Sequence, residues 1–196
     1  AANGGYLVVP ARVLHAADYG VPQSRERVIF LGFKKSALLP AALAGLSSGT
    51  IPTMYDPYPP KTHSYTVSDD TLFSPVTCAE AFDGLAEPSS SSDAAQQSFS
   101  KAKYMGKHCQ GQSEVRLNSI APTIRSEHHG NIEYRRLSEE HGGQHKVELK
   151  QGLHERRLSV RECARLQTFP DEYNFILRKE GALSSVSASD AYKIIG

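Results

Sequence analysis

The sequence predicts an α/β chain in which strands near the N-terminus and short, sharply capped helices frame an irregular, mostly β stretch. Three observations carry that expectation. Residues 6–14 and 27–33 are dense in Val, Leu, Ile and Phe, and a polar loop around Tyr19-Gly20-Val21-Pro22 joins them, as expected for two neighbouring strands. Thr77 with Glu80, and Ser159 with Glu162, form capping boxes: the hydroxyl takes the amide three residues on while the carboxylate reaches back. Residues 104–155 are polar and glycine-containing, with strand character at 117–124.

Taken in order, the first strand carries Pro10 near its edge, where a missing donor is tolerated. The second, 27–33, alternates poorly and reads as largely buried. Between them, Gln23-Ser24-Arg25-Glu26-Arg27 is compatible with an exposed, salt-bridged loop end of little energetic weight. The Ala/Leu-rich 34–45 reads as a short helix and the proline-rich 51–62 as extended and irregular. Thr77 opens a helix of about two turns carrying Ala81, Phe82 and Leu85. Residues 87–103, with Pro88 and a run of serines, are too small and polar to pack and read as a mobile linker. Residues 126–136 suit either a solvated hairpin or a loop presenting donors and acceptors in a groove. From Ser159 a helix places Cys163, Leu166 and Gln167 on one face and Arg161 and Arg165 on another, a solvated basic edge, until Phe169-Pro170 stops it. Ser187 with Asp190 caps a closing helix bearing Ala191, Tyr192, Ile194 and Ile195.

The 196 residues are 39% hydrophobic, enough for a core, and Lys+Arg 22 against Asp+Glu 21 gives a net charge of +1. That balance excludes an overall basic field, so a nucleic-acid surface must come from local clustering, for which 116–165 is the candidate. Three scattered cysteines, Cys78, Cys109 and Cys163, do not make a disulfide framework and point to a reducing, intracellular compartment. No apolar run approaches the roughly 18 residues of a membrane span, and no signal peptide is expected. Both ends read as cut from a longer parent.

Two longer strings carry a resemblance. Arg156, Leu158-Ser159, Arg161-Glu162, Ala164-Arg165-Leu166-Gln167, Phe169-Pro170-Asp171 and Tyr173 together resemble the ninth sequence block of the DNA (cytosine-5-)-methyltransferases. Arg12-Val13-Leu14, Ala16, Asp18-Tyr19-Gly20-Val21-Pro22-Gln23, Arg25-Glu26-Arg27-Val28 resembles the eighth block of the same family. Ala121-Pro122-Thr123-Ile124-Arg125 is similar to its Thr-Leu or Thr-Ile recognition signature, and 191–196 to the start of the tenth block.

The resemblance implies edge strands of a Rossmann-like sheet that binds S-adenosylmethionine, plus an irregular, mostly β target-recognition domain. It divides the chain into catalytic strands (1–35), a connecting region (36–103), the recognition domain (104–155), and a hinge helix with the start of a closing helix (156–196). By position Arg27 would hydrogen-bond the flipped cytosine, a fixed guanidinium that never loses its charge; Arg25 would support the site or a phosphate, and Gln23 is carried over beside them. Thr123, Ile124 and Arg125 would lie near the target base pair, with His128, Arg135, Arg136, Arg157, Arg161 and Arg165 as further DNA contacts. The implied partners are double-stranded DNA and the N-terminal catalytic half of the enzyme, with no membrane, in the cytoplasm or nucleoid of a bacterium, within a restriction-modification system. The family's Pro-Cys-Gln nucleophile loop, its Glu-Asn-Val block and its glycine-rich cofactor turn are not found, so S-adenosylmethionine is expected mainly on the N-terminal part and the fragment is expected to be inactive alone. His108-Cys109-Gln110 imitates the nucleophile loop over two residues only, in the wrong order along the chain. Two rivals stand beside this reading. One is a non-catalytic DNA-recognition subunit; the other is a metal-dependent nuclease built on His128, His129, His141 and His145, whose spacing matches no zinc pattern. No metal is expected.

Overall fold

A computed structural model describes residues 5–64, 71–101, 114–126, 133–135, 146–153, 155–176 and 186–196. The chain opens with β1 (Tyr6–Val8) and β2 (Arg12–His15), returns through β3 (Glu26–Ile29) and β4 (Gly32–Lys34), and continues into α1 (Pro40–Leu46). β1 pairs antiparallel with β4 and β2 with β3, with Val13 opposite Val28 and Leu14 opposite Arg27. A Val9 N–H to Leu31 carbonyl bond of 3.1 Å links the two ladders into one interrupted hairpin. Pro10 sits at the break, where its missing donor costs nothing. Val9, Leu46 and Tyr58 form a small core beneath the hairpin, packed by Leu7, Leu14, Ile29, Leu31 and Phe33. The second strand was expected to be largely buried, but Val28 and Phe30 are 54% and 72% exposed. Side chains alternate across a strand, and only one face of this hairpin is covered by described residues.

The helix expected over 34–45 is divided: a 3-10 turn at Lys35–Ala37 precedes α1, which begins at Pro40, where proline's fixed φ suits the first helical position. The proline-rich strap that follows is anchored by Tyr58, whose hydroxyl lies 2.9 Å from the Pro10 carbonyl and 3.0 Å from that of Ile29. Arg12 stacks over the Tyr58 ring and pairs with Asp56 at 2.8 Å.

The predicted capping box at Thr77 is present, with Glu80 N–H donating to Thr77 Oγ1 at 3.3 Å and Thr77 N–H to Glu80 Oε2 at 2.6 Å, but α2 (Cys78–Ala81) is a single turn. The stretch expected as a mobile linker instead builds α3 (Ala94–Gln97), capped by Asp93, and β5 (Phe99–Lys101). Its small polar residues pack because the helix beyond supplies buried charged partners: Asp93 meets Arg161 at 2.6 Å, and Gln96 Nε2 donates to Glu162 Oε1 at 3.2 Å.

After β6 (Glu133–Arg135) and α4 (Lys146–Lys150) come β7 (Arg156–Ser159), α5 (Val160–Leu166) and α6 (Ala188–Ile195). β7 is the middle strand of a three-stranded sheet in the order β5-β7-β6, antiparallel on both sides and buried along its length. α5 starts at the predicted capping box, with Glu162 N–H on Ser159 Oγ at 3.0 Å and Ser159 N–H on Glu162 Oε2 at 2.8 Å. It ends sooner than the proline signal implied: Thr168, at φ 59°, turns the chain left-handed two residues before Pro170. Leu158, Val160, Cys163, Ala164 and Leu166 join Tyr192 and Ile195 of α6 in the larger core, and the buried Tyr192 hydroxyl donates to the Leu158 carbonyl at 2.6 Å. The expected strand at 117–124 is not regular. Residues 117–119 turn, and Ala121 alone forms a parallel bridge to Gln23.

Candidate functional site

The site begins where β2 gives way to a 3-10 turn at Ala16–Tyr19, closed by Gly20 at φ 83°. Glycine is required there twice over, by the left-handed backbone and because a Cβ would lie 2.7 Å from the His63 ring. The loop is held from behind by Asp18, which accepts the Thr62 and His63 amides on its carbonyl and pairs with Lys61 at 2.7 Å through its side chain.

From Pro22 the loop zips onto the 121–126 segment. Ala121 N–H donates to the Pro22 carbonyl at 2.9 Å, Ser24 N–H to the Ala121 carbonyl at 2.7 Å, and Thr123 Oγ1 to the Ser24 carbonyl. Between these segments opens a cleft of about 520 Å³, walled by Ser24, Arg25, Glu26 and Arg27 on one side and by 123–126 on the other, with Gly196 at its end. Two stretches almost a hundred residues apart, both singled out in the sequence, therefore face each other.

Within the cleft the two hairpin arginines differ. Arg25 donates from Nη1 to the Ile124 carbonyl at 2.9 Å and from Nη2 to the Gly196 carbonyl at 3.3 Å. Burial, and then the neighbouring charge of Arg27, push its pKa below the ordinary arginine value, though a guanidinium keeps its proton throughout. Arg27 is exposed, with Nη1 resting on the Glu26 carbonyl at 2.6 Å, so most of its donors face the cleft and solvent. Arg125 lies exposed on the opposite lip.

Three expected residues turn out differently placed. Gln23 is fully buried and lies outside the cleft lining; its Nε2 donates to the Leu166 carbonyl at 3.4 Å, while its Oε1 is buried without a partner among the described residues. It ties the loop to α5. Ile124 puts its side chain in the large core at 1% exposure and offers the cleft only its carbonyl, since an apolar side chain at that position gains more from burial than from a polar cleft. Thr123 stands in the wall with its hydroxyl engaged by Ser24.

Arg157, expected as a DNA contact, and Arg161 and Arg165, expected as a solvated basic edge that also meets DNA, are held within the fold. Arg157 is buried in β7. Arg161, 3% exposed, donates from Nε to Asp93 at 2.6 Å and from Nη1 to the Tyr173 carbonyl at 3.3 Å. Arg165 grips Asp171 with two bonds of 2.9 and 2.6 Å and reaches the Asp83 carbonyl at 2.6 Å. That bidentate contact, outweighing partial desolvation, holds the Asp171 carboxyl below the usual carboxylate range. Arg135 belongs to β6, but its side chain, like His128 and Arg136, lies outside the described residues.

Sequence reasoning placed Gln167 and Gly196 in motifs without giving them a site role, and passed over Gln96 and Asp93 behind α5. A Cβ on Gly196 would come within 2.4 Å of the Ser126 nitrogen, so the α6 terminus and the cleft wall meet backbone to backbone. Cys78 and Cys163 are both at 0% exposure in the core; burial pushes the Cys78 thiol up to about 12 and raises Cys163 as well, which is not the environment of a thiolate nucleophile. Among the described residues no three His, Cys, Asp or Glu side chains group as a metal site, and no helix is long and apolar enough to cross a membrane. Cys109, His129, His141 and His145 lie outside the described residues.

Similarity to known proteins extends over nearly the whole chain. The family profile of C-5 cytosine-specific DNA methylases matches residues 2–196. Type II methyltransferase M.BspRI of Lysinibacillus sphaericus is 31% identical over 199 residues, covering 98% of this chain and 40% of that protein. M.FnuDI of Fusobacterium nucleatum is 27% identical over 218 residues, 99% of this chain and 52% of that protein. The crystal structure of S. pombe Dnmt2 methyltransferase superposes with a TM-score of 0.49 at 16% identity, covering 99% of this chain and 52% of that one. The chain thus spans about half the length of the relatives it matches.

Proposed function

Because the chain belongs to the C-5 cytosine-specific DNA methylase family, we propose that it is the DNA-reading and base-holding portion of an enzyme that transfers a methyl group from S-adenosylmethionine to carbon 5 of a flipped cytosine in duplex DNA. The observation that carries this reading is the cleft in which Arg27 faces the 123–126 segment. Arg25 has donors committed to two backbone carbonyls and so sets the wall. Arg27 has donors to offer, and its planar fork suits the acceptor edge of an extruded pyrimidine, polarising the ring without giving up a proton. Arg125 on the opposite lip is placed for a phosphate or a guanine edge. Flipping costs on the order of a few kcal/mol, which contacts made only to the extruded base must offset.

The methyl donor that the family implies does not suit these residues. Arg25, Arg27 and Arg125 line the cleft against the single carboxylate of Glu26, a poor match for a positive sulfonium. The donor is therefore assigned to the portion of the enzyme beyond this chain. The same portion is the natural cover for the hairpin's outer face, where Tyr6, Val8, Val13, Val28 and Phe30 are all more than half exposed.

Bisulfite sequencing of DNA from cells expressing the full-length parent tests the proposal. Methylated cytosines in one short sequence context are expected. Duplex binding with no methylated cytosine would support a recognition-only module instead.

A further inference from the structure

The end of α5 and the end of α6 meet at the back of the cleft, and one side chain joins them. Gln167, the residue that closes α5, donates from Nε2 to the Ile195 carbonyl at 2.6 Å. The next carbonyl, that of Gly196, accepts Arg25 Nη2 at 3.3 Å, and Arg25 Nη1 continues to the Ile124 carbonyl at 2.9 Å. Gly196 also packs so closely on the Arg125 and Ser126 backbone that a Cβ would lie 2.5 and 2.4 Å from it. The Ile195–Gly196 backbone is therefore a spacer whose position sets both cleft walls at once, and Gln167 fixes that position from a helix which is itself tied to the hairpin through the Leu166 carbonyl and Gln23.

We propose that Gln167 is a positioning residue for the cleft, acting through the Ile195–Gly196 backbone on Arg25. This rests on the functional reading above and assigns Gln167 no contact with DNA. A primary amide suits that role, because a neutral donor reaches the Ile195 carbonyl without adding charge beside Arg25. Leucine at this position keeps the volume and loses the donor.

The test is a double-mutant cycle in the full-length parent enzyme, read as turnover on a duplex substrate, with the KM for duplex and the thermal midpoint followed in parallel. Gln167→Leu should lower kcat roughly five- to tenfold, the size of one lost hydrogen bond, with KM for duplex little changed. In an Arg25→Met background the same substitution should change kcat less than about twofold, because the residue it acts through is gone. Gly196→Ala, which disturbs the same junction from the other side, should lower kcat in the wild-type background and show the same loss of effect beside Arg25→Met. Additive losses in the two backgrounds, or a fall in thermal midpoint with kcat unchanged, overturn the inference while leaving the functional reading intact. Absence of methyl transfer by the unmodified enzyme overturns both.

Discussion

Replacing Thr168 with glycine should stabilise the protein. Thr168 sits at φ 59°, the only non-glycine residue among those described with a positive φ. It is the residue at which α5 unwinds: its N–H donates to the Arg165 carbonyl at 2.9 Å and the Phe169 N–H to the Ala164 carbonyl at 3.0 Å, the closing pattern usually built on glycine. A side chain in the left-handed region costs about 1–2 kcal/mol, more for a β-branched one. Against this, glycine gives up about 0.5–1 kcal/mol through the freedom it gains in the unfolded chain. The exposed bond from Thr168 Oγ1 to the Gln167 carbonyl, 2.7 Å, adds little to either side. The balance favours Thr168→Gly by about 1 kcal/mol, or roughly 2–4 °C in thermal midpoint for a unit of this length and less in a longer parent that unfolds as one unit. Differential scanning calorimetry and urea titration of the purified parent should both show it, with Thr168→Asn intermediate because asparagine tolerates the left-handed region. A lower midpoint for Thr168→Gly than for wild type would mean that the backbone strain is absent and that the turn is held by something other than its φ.

Three further outcomes follow from the site and its supports. Arg27→Ala in the full-length enzyme should reduce turnover about a hundredfold, the scale of one transition-state donor, while the dissociation constant for duplex moves only a few-fold; equal losses in both would remove Arg27 from the base. Ser159→Ala should cost about 1–2 kcal/mol in chemical denaturation, because the hydroxyl caps α5 and also meets the buried Gln96; no change would place the start of the helix elsewhere. Asp171, held below the ordinary carboxylate range by Arg165, contributes stability that is complete above its unfolded pKa and disappears as pH falls through the depressed folded value. Asp171→Asn should therefore be less stable than wild type at neutral pH, with the difference closing in acid; a constant difference across pH would count against the pair.

What the sequence could reveal depended on how far apart the partners are. Both capping boxes were legible because hydroxyl, amide and carboxylate lie within four residues, and the structure has them bond for bond. The cleft was legible only through two motif resemblances, since nothing local says that Ser24 and Thr123, 99 positions apart, will meet. The fate of the helix arginines was not legible at all. Arg161 reads as a solvated edge on a helical wheel, and only the fold brings Asp93 from 68 positions away to bury it. The same contact explains why 87–103 reads as linker although 88–97 is built into two short helices: their order comes from polar partners supplied by α5, and composition records only the shortage of apolar side chains. Thr168 escaped notice for the opposite reason, because a φ value leaves no trace in residue type unless the residue is glycine.

The buried polar cluster behind α5 gives these placements their common cause. Arg156 reaches Glu162 with bonds of 2.8 and 2.9 Å, and the same carboxylate accepts Ser159 N–H and Gln96 Nε2. A buried ion pair offsets its own desolvation only when its remaining acceptors are also engaged, and here β7, the α5 cap and α3 each supply a donor. Apolar packing alone would let neighbouring elements shift against the continuous β7–α5 unit at modest cost. With these polar contacts in place, a shift of α3 by one turn would take Gln96 from Glu162 and Ser159 and Asp93 from Arg161, while a shift of the hairpin or α6 would withdraw Gln23 from the Leu166 carbonyl and the Ile195 carbonyl from Gln167. Competing registers are therefore separated from the observed one by several unpaired buried groups at about 1–3 kcal/mol each. That gap is what allows a seven-residue helix with no described residue in the cleft to determine where Arg25 and Arg125 stand within it.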